Sequence, residues 1–249
     1  MQAIFPKVKE KNTPLCVGID PHPNKLPAFT SLEQFCQEVL LLVAPLVGVV
    51  KFQSAIFEAQ GPDGLKILKN AIEQAKKLNL AVILDYKRAD IPDSAIYYAQ
   101  AAFDVYQVDA VTITPWMGLE SIKTFVTYAR KQQKGVFVVI SPTSGNLWQD
   151  HCHELMTYLG VLSAENMQDG LGDVGVVMGS EGKFLNFWQR EFFYLPFLIP
   201  GIGHQGGNTE VIKTPGTLIS ASRSILFPKD HWQGRIQEAC QQHIERLKT

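Results

Sequence analysis

Eight short apolar runs recur along this chain with stretches of helical periodicity between them, and that rhythm limits the fold more than any other feature. The runs are Leu15–Ile19, Val47–Val50, Leu80–Leu84, Ala110–Ile113, Val136–Ile140, Val174–Met178, Phe197–Ile199 and Thr217–Ile219. Each has the length and composition of a buried strand. Between them, Ser31 caps a helix running to about Leu42, and Gln34 completes a capping box. Amphipathic stretches follow at Gly64–Leu78, Ser94–Tyr106, Leu119–Gln132, His153–Met167, Gly182–Glu191 and Lys229–Leu247, with only a short seventh connection at Asn208–Lys213. Strands alternating with helices predict a parallel sheet. Eight such units favour a closed (β/α)8 TIM barrel over the competing doubly wound sheet. No composition break or linker interrupts them, so residues 1–249 are expected to form a single barrel domain.

Composition narrows the partners. A net charge of −1 excludes a broadly basic face for nucleic acid, so any phosphate site must be local. The longest apolar stretch, Val39–Val50, is broken by Pro45 and too short to span a bilayer, which argues against a membrane partner. The first ten residues lack the apolar core of a secretion signal. Cys16, Cys36, Cys152 and Cys240 show no C-x-x-C spacing and are read as reduced thiols of a cytoplasmic protein.

In a barrel, chemistry collects at the C-terminal ends of the strands. The third run ends in Asp85-Tyr-Lys87-Arg-Ala-Asp90. Strand alternation would point Asp85 and Lys87 the same way, about 7 Å apart at roughly 3.3 Å per residue. The D-x-K spacing alone better suits a structural salt bridge at a strand end. Asp20 ends the first run and Lys51 the second, however, and charges gathered on one rim of a barrel favour a catalytic reading. A second signal is for phosphate. Gly201, Gly203, Gly206 and Gly207 follow the seventh run, leaving backbone N–H groups open to an anion, and Arg223 follows the eighth.

These residues carry a resemblance. Asp85-x-Lys87-x-x-Asp90-Ile91 resembles the signature of the orotidine 5'-monophosphate decarboxylases. Gly18-Ile-Asp20-Pro-His-Pro23, Val50-Lys51-Phe-Gln-Ser54, Thr112-Ile-Thr-Pro-Trp-Met-Gly118, Pro200-Gly-Ile-Gly-His-Gln-Gly-Gly207 and Ser222-Arg223 are similar to its bacterial subgroup. The resemblance implies a cofactor-free, metal-free enzyme of pyrimidine biosynthesis that converts orotidine 5'-monophosphate to uridine 5'-monophosphate and CO2. It implies a homodimer with shared active sites. Lys87 would give a proton to C6 of the pyrimidine, and Asp85 would face the substrate carboxylate. Lys51 and Asp90 would complete a Lys-Asp-Lys-Asp chain, with Asp90, Ile91 and Ser94 reaching the neighbouring subunit's site. Asp20 and Lys51 would hold the ribose hydroxyls. Gln205 and Arg223 would grip the phosphate, with Pro200 and Gly206 lining the same site. Ser144 in Thr143-Ser-Gly-Asn146 matches the base-reading serine about one residue farther from the strand than usual, and Ser141 remains an alternative.

Two other readings stay open on the sequence. A metal-dependent sugar-phosphate decarboxylase or aldolase of the same superfamily would share D-x-K-x-x-D, but Lys51 stands where such enzymes resemble a site with an acid for magnesium. A non-catalytic nucleotide-binding barrel would not need every charged residue kept. His151-Cys-His153 could suggest a metal site, but alternate positions opening a helix do not converge on one ion. The tryptophans are expected in packing, Phe192-Phe-Tyr194 in core or interface, and Asp109 and Asp173 in turns.

Overall fold

The computed structural model describes residues 1–28, 30–141, 152–179, 185–201, 216–228 and 232–248, with backbone alone at 141 and 232–234. In chain order the elements are α1 (Phe5–Lys11), β1 (Leu15–Ile19), α2 (Leu32–Val43), β2 (Val49–Gln53), α3 (Ser54–Glu58), α4 (Gly61–Lys77), β3 (Ala81–Arg88), α5 (Pro92–Gln100), β4 (Ala110–Ile113), α6 (Leu119–Lys131), β5 (Gly135–Ser141), α7 (Cys152–Ala164), β6 (Val174–Met178), α8 (Leu185–Glu191), β7 (Phe197–Pro200), β8 (Thr217–Ala221), α9 (Arg223–Leu226) and α10 (Trp232–Lys248). The eight strands close into one barrel in the order β1 to β8, and each neighbouring pair is parallel.

Strand alternation divides the apolar residues into two cores. Leu15, Val17, Val50, Val82, Leu84 and Val111 pack outward against the helices. Cys16, Val49, Ile83, Phe137, Val177 and Leu218 fill the interior, where Met1 and Ile4 join them. The helices meet the outer layer along buried stripes, such as Gly64, Leu68, Ala71, Ile72 and Ala75 of α4. Two residues beyond the inner plug, on the same strand face, come Gly18, Lys51, Asp85 and Thr112. The polar rim is therefore the continuation of the inner face past the apolar plug.

Several expectations need correction. The third strand is not one of them: it ends at Arg88, within the expected D-x-K-x-x-D stretch. The following helix begins at Pro92 rather than Ser94, and beyond Gln100 it widens into a π turn at Ala101–Val105. Asp109 and Asp173 are more than turn residues. Asp109 accepts from Val82 N at 2.9 Å and from Lys134 at 2.8 Å, while Arg130 grips Asp173 at 2.7 and 3.1 Å. These buried carboxylates tie helix ends to strand starts, so the N-terminal rim has ion pairs of its own. Trp116 is 56% exposed, whereas Trp188 is buried against Phe192. Trp148, His151 and the 202–215 connection lie outside the described residues.

Candidate active site

Asp85 is the centre of the rim. Its buried carboxylate accepts from Lys51 at 2.8 Å and Gln53 at 3.4 Å on one oxygen, and from Thr112 at 2.9 Å and Lys87 on the other. Burial opposes its ionisation, but the Lys51 and Lys87 charges outweigh burial and hold the carboxyl far below the usual carboxylate range. Burial likewise opposes the charge on Lys51, while Asp20 and Asp85 overcome it and raise its pKa. The buried Lys51–Asp85 pair is thus ionised, and Lys87 extends it toward the barrel mouth with its side chain 44% exposed.

Lys87 reaches Asp85 by a route that strand alternation does not supply. Its φ is 47°, in the left-handed region that non-glycine residues seldom adopt. The β3–β4 register moves from Leu84 opposite Val111 to Arg88 opposite Ile113, so Asp85, Tyr86 and Lys87 bulge across Thr112. Beyond the bulge, the Arg88 guanidinium lies 4.1 Å from the centre of the Tyr86 ring and donates to Glu58 at 2.5 Å, anchoring the strand end to α3.

Asp20 and Ser222 flank Gly18. A Cβ on Gly18 would come within 2.8 Å of the Ser222 Cβ and 3.1 Å of Asp20 Oδ2. Asp20 Oδ1 and Ser222 Oγ are buried and have no hydrogen-bond partner among the described residues. Buried polar atoms without partners are costly and call for a ligand or water. Arg223, exposed, opens α9 immediately beyond β8, and Pro200 ends β7.

The structure therefore joins Lys51, Asp85 and Lys87 directly, with Asp20 near enough to act on Lys51 electrostatically. It does not bring Asp90 to them. Asp90 accepts the Ile91 N–H at 2.8 Å, and it forms no ion pair among the described residues. Ile91 is 52% exposed at the N-cap of α5, and Ser94 follows on the first turn of that helix. Ser144, Gln205, Gly206 and the Ser141 side chain lie outside the described residues. The sequence reading missed Thr112 and Gln53 as partners of Asp85. Their signal was register: both occupy the inner face of strands beside β3.

A closed parallel barrel with acids and lysines on the C-terminal rim defines a TIM-barrel enzyme. The chain belongs to the orotidine 5'-phosphate decarboxylase / HUMPS family, whose sequence model matches residues 13–230. It is 33% identical over 231 residues to the orotidine 5'-phosphate decarboxylase of Dehalococcoides mccartyi strain CBDB1, covering 86% of this chain and 84% of the relative. It is 35% identical over 239 residues to that of Ralstonia pickettii strain 12J, covering 88% and 86%. The structure of Leishmania donovani OMP decarboxylase superposes with a TM-score of 0.79 over 98% of this chain and 96% of that one; at 24% identity it speaks for the fold alone.

Proposed function

We propose that this protein decarboxylates orotidine 5'-monophosphate to uridine 5'-monophosphate in pyrimidine biosynthesis, using its own charged side chains and no cofactor. The observation that carries the reading is the Asp85 carboxylate held ionised between buried Lys51 and half-exposed Lys87. A substrate carboxylate set beside Asp85 meets like charge. When the C6–carboxyl bond breaks, CO2 leaves and the electron pair stays on C6. Lys87 Nζ then delivers a proton to C6 and is reprotonated from solvent. Asp20 and Lys51 take the ribose hydroxyls, for which the unpartnered Asp20 Oδ1 is suited. Arg223, with Pro200, Gln205 and Gly206, takes the phosphate, and Ser144 or Ser141 reads the base.

Magnitudes limit what the charges do alone. Two unit charges about 4 Å apart interact by roughly 4 kcal/mol at an effective dielectric near 20, whereas enzymes lower barriers by about 8–23 kcal/mol. Binding energy from the remote phosphate must supply orientation and closure. In this reading two chains form a dimer, and Asp90, Ile91 and Ser94 of each complete the other's site. The exposed Ile91 and the absence of an ion pair on Asp90 among the described residues support that arrangement. Among the described residues no helix is long and apolar enough to cross a membrane.

The test is incubation with orotidine 5'-monophosphate, following the pyrimidine absorbance with and without a chelator. Conversion unaffected by the chelator is expected. Conversion abolished by the chelator and restored by magnesium would favour the metal-dependent branch, against which the Lys51 ammonium speaks. No conversion under either condition would leave the sugar-phosphate enzyme and the binding barrel.

A further inference from the structure

Thr112 lies on β4 with no exposed surface, beside the charged rim. Its hydroxyl uses its entire bonding capacity at one place. It accepts from Tyr86 N at 3.0 Å and Lys87 N at 3.1 Å, and it donates to Asp85 Oδ1 at 2.9 Å. A hydroxyl offers one donor and two acceptor lone pairs, and all three are engaged. The two N–H groups are those that the β3 bulge removes from ordinary strand pairing. One of them belongs to Lys87, whose left-handed backbone at φ 47° is disfavoured for any side chain. Such a conformation persists where its surroundings hold it. Here one oxygen holds the backbone of Lys87 and the carboxylate of Asp85 together.

We propose that Thr112 is a positioning residue for decarboxylation: its hydroxyl sets the orientation of Asp85 and the backbone that carries Lys87. This inference rests on the reaction proposed above. It predicts a split between chemistry and binding. Of the ribose and phosphate groups assigned above, Lys51 stands on β2, Asp20 follows β1, Pro200 ends β7 and Arg223 opens α9, all away from β4, so binding of the nucleotide product should be indifferent to the hydroxyl.

The test compares Thr112→Val, which keeps the shape and removes the hydroxyl, with Thr112→Ser, which keeps the hydroxyl. Single-turnover decarboxylation of orotidine 5'-monophosphate and affinity for uridine 5'-monophosphate are measured on wild type and both variants. The valine variant should lose at least tenfold in the single-turnover rate while its product affinity stays within threefold of wild type. The serine variant should remain within threefold on both measures. A valine variant turning over within threefold of wild type would overturn the inference. So would a serine variant as slow as the valine one, because the methyl group's packing would then be the cause. If the valine variant fails to fold, Thr112→Cys replaces it, a weak hydrogen-bonder close to serine in shape. A cysteine variant tenfold slower than the serine one supports the inference, and equal rates overturn it. Wild type is the control for the reaction itself: without its turnover the proposed function fails, whereas wild-type turnover with an undiminished valine variant refutes the positioning role alone.

Discussion

Asp85 stays ionised in a buried position because four donors converge on its two oxygens. Its folded pKa is depressed, so its pair contributes stability in full above the unfolded value of roughly 3.9 and loses it as pH falls toward the folded value. Lys51 has a raised pKa, and its share is complete below roughly 10.4 and lost only as pH rises through the folded value. Asp85→Asn should therefore lower unfolding stability by about 3 kcal/mol near neutrality, the cost of breaking a buried pair. Denaturant titrations should show that deficit level between about pH 5.5 and 9 and shrinking below about pH 4. A deficit growing with acidity would mean that Asp85 is not the ionised partner. The phosphate role proposed for Arg223 rests on a different interaction. A charge-assisted hydrogen bond is worth about 1.5–3 kcal/mol, so Arg223→Ala should weaken nucleotide binding roughly tenfold to hundredfold. Calorimetry on nucleotide and nucleoside checks this, and an unchanged preference for the nucleotide would remove Arg223 from the phosphate site.

At the scale of elements, the ion pairs at the strand starts are structural, and their loss should not touch chemistry. Asp173→Ala leaves Arg130 without its two-pronged partner. It should cost about 3 kcal/mol of stability while the folded protein keeps its single-turnover rate; a loss of rate at full stability would contradict that assignment. Such particulars mark how far sequence reading reaches. The capping box of α2 was legible because its signal is local: Ser31 and Gln34 bond each other's backbone. The placing of Lys51 and Asp85 at neighbouring strand ends was legible because each closes an apolar run. The left-handed Lys87 was not, because nothing within β3 announces it and its anchor, Thr112, sits on another strand. The π turn after α5 was hidden similarly. It ends near Asp104, whose partners Tyr128 and Gln132 lie on and just beyond α6. Asp109 and Asp173 read as turn formers because their lysine and arginine partners follow or precede them by two whole elements.

For the whole molecule, the proposed dimer makes one demand that a single barrel cannot meet. Lys87→Ala and Asp90→Ala homodimers should each be nearly inactive, since every site lacks one member of the charge chain. Subunit exchange between them should create heterodimers with one doubly damaged site and one intact site. Activity should return to at most about half the wild-type value per heterodimer, counting one working site of two. Exchange verified by mass spectrometry without any recovery would argue against Asp90 serving the neighbouring site. In the proposed reaction, Lys87 and its charge network remove CO2 from orotidine 5'-monophosphate. The most direct measurement uses substrate labelled with carbon-13 in its carboxyl group, with nuclear magnetic resonance detection of the released carbon and of uridine 5'-monophosphate. Wild type should release the label with equal formation of product, and Lys87→Ala should release almost none while still binding uridine 5'-monophosphate. Absence of release by wild type, or release by Lys87→Ala within tenfold of wild type, would contradict it.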